Sequence, residues 1–202
     1  MQTEKPFSEH DSLKLIESMI NKARNEFHEN GHLYLVWGWV VLICSLAQFI
    51  LMRVVHYAEY YQVWFVTWLA VAYQLYYLAK RKKKRKVRTY TDGILANVWL
   101  AFGVSMLLTG FVSGMSQTAG AISDNPTPAL FLVLYGIPTY LSGIILRFIP
   151  LKAGGIACWF LAIAGTFIPS DYRILLLGLA VIAAWIIPGY LLRRRYDQKQ
   201  VQ

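Results

Sequence analysis

Residues 60–92 read YYQVWFVTWLAVAYQLYYLAKRKKKRKVRTYTD. The twenty residues Tyr60–Ala79 contain no Asp, Glu, Lys or Arg, and eight Lys or Arg then crowd into the nine positions Lys80–Arg88. A membrane helix needs about 20 mostly apolar residues to cross roughly 30 Å of hydrocarbon. A basic cluster abutting such a run acts as a topological anchor on the cytoplasmic side. The stretch therefore predicts a membrane span and its direction together.

Five more runs of the same kind lie on either side. Leu33–Met52 is closed by Arg53 and is too long for the apolar core of a signal peptide. Gly93 to about Ser113 is followed by Ser-, Gly- and Thr-rich residues that read as loop. Ala129–Leu146 is closed by Arg147, Ala153–Ile168 is short and ends at Pro169, and Ile174–Leu192 is closed by Arg193, Arg194 and Arg195. Backbone polar groups in lipid must be satisfied internally, so each run should be a helix. A β-barrel would alternate apolar and polar residues, and ILLLGLAVIAAW does not.

Composition agrees. Hydrophobic residues make up 56%, charged residues 15%, and mean hydropathy is +0.41, against roughly 45–50% and 25% in soluble domains. That excludes a disordered chain and disfavours a soluble domain. Cys44 and Cys158 sit in apolar runs and form neither a disulfide framework nor a CxxC pair.

Orientation follows from Lys and Arg in the connections. Residues 1–32 hold four, 80–92 hold eight, 147–152 hold two and the tail from 193 holds four, eighteen in all. The remaining connections hold only Arg53 and Arg173. Both termini are therefore expected in the cytoplasm. The net charge of +9 is concentrated beside spans, which argues against a nucleic-acid partner. Tyr34, Trp37, Trp39, Tyr76 and Tyr77 are expected in an inner aromatic belt, and Tyr57, Tyr60, Tyr61 and Trp64 in an outer one.

Before the first span, Leu13, Ile16, Ile20, Ala23 and Phe27 repeat at helical spacing. Ser12–Glu29 is expected to be an amphipathic cytoplasmic helix, capped by Ser8 or Asp11 and broken at Asn30-Gly31. The expected fold is an all-α, polytopic transmembrane bundle. Residues 1–32 form the cytoplasmic segment, 33–192 the six-span domain and 193–202 a basic cytoplasmic tail.

One motif names a chemistry. His28-Glu29-Asn30-Gly31-His32 matches H-E-x-x-H, in which two histidines on one helical face bind zinc and the glutamate is the base. His28, His32 and Glu29 are thus candidate metal-site residues, with Asp92 as the best third ligand. The Asn30-Gly31 break opposes that geometry, and no cofactor is expected. Lys80–Arg88 suits anionic lipid headgroups. No Asp, Glu, Lys or Arg lies within the six runs, which argues against a coupled pump. Gln48, Gln74 and Asn97 are the strongest polar side chains inside them, and each is expected to bond a neighbouring helix. Gly110 with Gly114, Thr139 with Gly143 and Ala180 with Ala184 offer close-packing faces. Tyr135-Gly136-Ile137-Pro138-Thr139-Tyr140-Leu141 and Trp185-Ile186-Ile187-Pro188-Gly189-Tyr190-Leu191 share an aromatic-x-Ile-Pro-x-Tyr-Leu pattern, read as two ordinary proline kinks ahead of a paired transporter site.

Residues 31–39 (GHLYLVWGW), 154–159 (GGIACW) and 187–192 (IPGYLL) resemble a family of small uncharacterised bacterial six-span inner-membrane proteins. The resemblance implies an inner-membrane location and transfers no functional residues. The leading reading is an accessory, sensor or oligomeric membrane module without catalytic chemistry, with membrane lipids, a second copy or a cytoplasmic protein as partner. A channel or transporter for a neutral or lipidic solute stands second, and a membrane zinc peptidase third.

Overall fold

The computed structural model describes residues 31–84, 90–118 and 126–200. These residues contain helices and no strand. The expected Ser12–Glu29 helix, with His28 and Glu29, lies outside them.

Helix α1, His32–Ile50, starts from Gly31, whose φ of 68° is left-handed backbone that suits glycine. It continues through a wide turn, Leu51–Val55, to His56. A tight 3-10 turn, Tyr60–Phe65, leads into α2, Val66–Lys84. Helix α3 spans Tyr90–Thr118. It runs past the Ser/Gly/Thr-rich stretch read as loop, because small residues weaken a helix only slightly when its backbone has no water to bond. Helix α4 is Thr127–Ile145, with Pro138 inside, and α5 is Ile149–Thr166. Helix α5 begins before Lys152, with Pro150 in its first turn, where a proline sacrifices no hydrogen bond. Helix α6, Ser170–Val181, passes through a wide turn, Ile182–Ile186, into α7, Ile187–Gln200. Pro188 has no N–H to offer one turn back, and the Ile187 N–H reaches Ile182 O instead, five residues away. The basic tail from 193 continues this helix rather than leaving it.

Five of these rods are long and apolar enough to cross a membrane: His32–Val55, Thr91–Ser116, Thr127–Ile145, Ile149–Thr166 and Ser170–Gln198. They give the chain the form of a multi-pass membrane protein. Helix α2 is not among the five, because the run that ends in it, Tyr60–Ala79, is diluted by five tyrosines and two glutamines and the helix closes on basic residues.

The rod Ser170–Gln198 is central, with 61% of its apolar stretch buried, and α3 is peripheral, with 6% buried. Helices α1, α4 and α5 pack around the central rod, α2 lies on α1, and α3 lies on α4. Close approach depends on missing side chains. A Cβ on Gly154 would stand 2.6 Å from Ala184 Cα, and one on Gly143 2.5 Å from Lys152 N. The Thr139/Gly143 and Ala180/Ala184 faces are therefore contacts within the chain. At Gly110 and Gly114 an added Cβ meets no described atom within 4 Å, so that face of α3 is open among the described residues.

Candidate functional site

The polar chemistry falls into two places, the interior pairs and the two ends of the bundle. Trp37 Nε1 of α1 donates to Gln74 Oε1 of α2 at 2.6 Å. Trp64 Nε1, just ahead of α2, donates to Gln48 Oε1 of α1 at 2.5 Å. The two bonds cross the hairpin in opposite directions, near its opposite ends. Gln48 and Gln74 therefore bond neighbouring helices, as their chemistry predicts. Asn97, by contrast, is exposed on α3, and the three amides do not converge.

Interhelical hydrogen bonds in membranes average about 0.6 kcal/mol. Gln74→Leu is expected to lower stability by about 1 kcal/mol, since the Trp37 N–H is left without its acceptor. Adding Trp37→Phe should recover most of that loss. Thermal unfolding midpoints in mild detergent check the pair, and additive losses in the double variant would show that the bond is not the cause.

The two proline motifs meet. Tyr135 and Trp185 rings lie 4.7 Å apart, and Trp185 Nε1 donates to Thr139 Oγ1 at 2.9 Å. Trp99 and Phe102 of α3 close on Trp185 at 5.9 and 6.4 Å, and Tyr34 of α1 meets Trp99 at 5.5 Å. Tyr34, expected in the inner aromatic belt, is 5% exposed, with its ring packed on Trp99. Trp159 Nε1 donates to Val133 O at 3.2 Å, in the turn that Pro138 disturbs. Ser142 Oγ, one turn beyond Thr139, is buried with no hydrogen-bond partner among the described residues. Pro138 and Pro188 are fully buried in this packing.

At one end of the bundle, Gly31 abuts Gly189 and Leu192, the His32 ring lies 4.9 Å from Tyr77, and Arg195 sits 5.9 Å over the Phe148 ring. These contacts gather Lys80, Arg81, Arg147, Lys152, Arg193, Arg194 and Arg195 at that end. At the other end Arg53 pairs with Asp171 at 2.9 Å and lies over Tyr172, and buried Arg173 donates to Ile168 O at 3.0 Å. By sequence alone Arg53 and Arg173 count only as loop charges. Their opposite-sign neighbours at matching ends of two spans were the available signal. The ends therefore differ in more than a residue count, since Arg53 is paired with Asp171.

His32 opens α1, and its Nε2 lies 2.8 Å from Tyr73 OH. Gly31, directly before it, has left-handed backbone, and His28 and Glu29 lie outside the described residues. Asp92 lies in the first turn of α3. Among the described residues no three His, Cys, Asp or Glu side chains converge on a common point.

No family model, no curated protein and no solved structure matches the chain.

Proposed function

We propose that the chain is a six-span inner-membrane protein, cytoplasmic at its basic end, that works through packing and contact rather than catalysis. It would serve as an accessory, sensor or oligomeric membrane module. The observation that carries this reading is the convergence of three separate basic segments on one end of the bundle, opposite an end whose Arg53 and Asp171 neutralise each other. Basic residues on one side set membrane orientation, and Lys80–Arg88 would meet anionic headgroups there. The exposed residues of the second hairpin arm support α2 as the sixth span: Phe65, Trp68, Leu69, Leu75 and Tyr76 all face outward. With Gln74 of the arm engaged by Trp37 and its Trp64 N–H engaged by Gln48 of α1, the arm presents lipid with mostly apolar and aromatic surface.

The transporter reading has less support, because the polar groups it would gather are bonded to tryptophans or turned outward. The peptidase reading is weakened by the backbone at Gly31. The test is thiol accessibility across α2. His56→Cys should react with an impermeant thiol reagent in intact cells, and Lys84→Cys should not. Background is low, since Cys44 and Cys158 are 1% and 0% exposed. Labelling of both positions, or of Lys84→Cys alone, would overturn the sixth span or the orientation.

A further inference from the structure

The turn between α4 and α5 shows what the basic end can hold. Helix α4 ends at Ile145, and the chain reverses through Leu146 and Arg147. Arg147 has a φ of 47°, left-handed backbone that an arginine adopts at a cost. Phe148 follows in extended conformation and is buried at 8% exposure. Burial of Phe148 fixes the turn and leaves the Arg147 side chain exposed at its corner.

Two more cations flank this corner from different elements. Arg195 of α7 lies over the Phe148 ring at 5.9 Å, so its guanidinium is placed by the same buried ring. Lys152, in the first turn of α5, packs across Gly143 of α4, where its Cγ would stand 2.7 Å from an added Cβ. Early N–H groups of a helix lack intrahelical acceptors and favour negative charge, so the start of α5 adds to the same field. Asp197 is two residues past Arg195, about 200° round the helix at the α-helical angle per residue, and faces away from it. Beside the cations the surface is apolar. Ile149 is 75% exposed, and Ile144 and Leu141 continue the exposed track along α4 toward the middle of the bundle. A free anion uses only the charges. A phospholipid uses the charges for its phosphate and the track for an acyl chain.

We propose that Arg147, Lys152 and Arg195, with Phe148 as their support, form a headgroup site for an anionic phospholipid, separate from the Lys80–Arg88 cluster. The inference rests on the reading that this end lies at the cytoplasmic leaflet.

The test is native mass spectrometry of the full chain in mild detergent, titrated with dioleoyl phosphatidylglycerol and with dioleoyl phosphatidylcholine. The wild type should bind the first phosphatidylglycerol more tightly than phosphatidylcholine. Arg147→Gln/Lys152→Gln/Arg195→Gln should weaken that binding about a hundredfold, as three charges near the surface imply. Lys82→Gln/Lys83→Gln/Lys84→Gln/Arg85→Gln should leave the first binding event within about threefold, because those charges lie on another segment. Arg147→Lys/Arg195→Lys, which keeps the charge, should retain the preference. If the triple variant does not stay monodisperse, Arg147→Gln and Lys152→Gln alone carry the test, each weakening binding about fivefold. Loss of binding in the loop variant with retention in the triple would overturn this site and leave lipid attraction at Lys80–Arg88 standing. A wild type without preference for phosphatidylglycerol would overturn both.

Discussion

Trp185→Ala is expected to lower stability by about 3–5 kcal/mol, the usual loss for a buried tryptophan. The side chain is 2% exposed and stands where the central rod meets Tyr135 of α4 and Trp99 and Phe102 of α3. Lipid tails are as apolar as the ring, so little of the loss is transfer from water. It is lost contact, since membrane helices associate mainly through packing. The truncation also removes the donor to Thr139 Oγ1. Helix α3 should feel it most, because its backbone packs chiefly on α4 and its aromatic residues are its hold on the rest. The thermal midpoint in mild detergent should fall by about 10 °C, given about 2–4 °C per kcal/mol at this size. Trp185→Phe, which keeps a ring and loses the hydrogen bond, should lose about 1 kcal/mol. A Trp185→Ala protein with an unshifted midpoint would show that the aromatic cluster does not hold the helices together.

Gly154→Ile should be nearly as damaging, by the opposite mechanism. The neighbours of an added Cβ are Ala184 Cα at 2.6 Å and Ala183 O at 2.9 Å. Both belong to the backbone of the central rod and cannot rotate aside, so α5 must move away bodily. Overpacking typically costs about 1–3 kcal/mol, and more where nothing can yield; about 3 kcal/mol is expected here. Gly110→Ile is the matched control, because its Cβ meets no described atom. It should be neutral for a single chain in detergent. Equal damage at Gly110 and Gly154, accompanied by a smaller assembly on size exclusion, would make the open face of α3 a contact between copies.

The apolar runs were legible because lipid imposes length and charge exclusion on each segment separately. Tyr60–Ala79, read as a span from its lack of charge, fares differently when graded by hydropathy, where its tyrosines and Gln62 and Gln74 count against it. Hydropathy prices the Gln74 amide as though it were unpartnered, and Trp37 supplies the partner. Boundaries slipped for a related reason. Lys152 reads as the end of a loop by its charge, yet Pro150 starts the helix before it, and a lysine at a helix end can extend its charge toward the headgroups. The meeting of Tyr135 with Trp185 was not legible. Two similar heptapeptides fifty residues apart say nothing of which way each rod is rotated, and rotation decides contact. The Arg53–Asp171 pair was hidden in the same way, since its members flank the first and last apolar runs.

The wide turn at Ile182–Ile186 acts as a phase shifter in the last rod. It holds one residue more than a straight α-helix would need, and each helical residue advances the side chains by about 100°. Residues on either side can therefore keep faces that a regular helix would set out of step. Leu177 and Val181 turn inward before it, Trp185 within it and Leu192 after it. Winding the same residues as regular α-helix would swing the 170–181 half by about 100° against the 187–200 half, carrying Asp171 away from Arg53 while Gly189 stayed against Gly31.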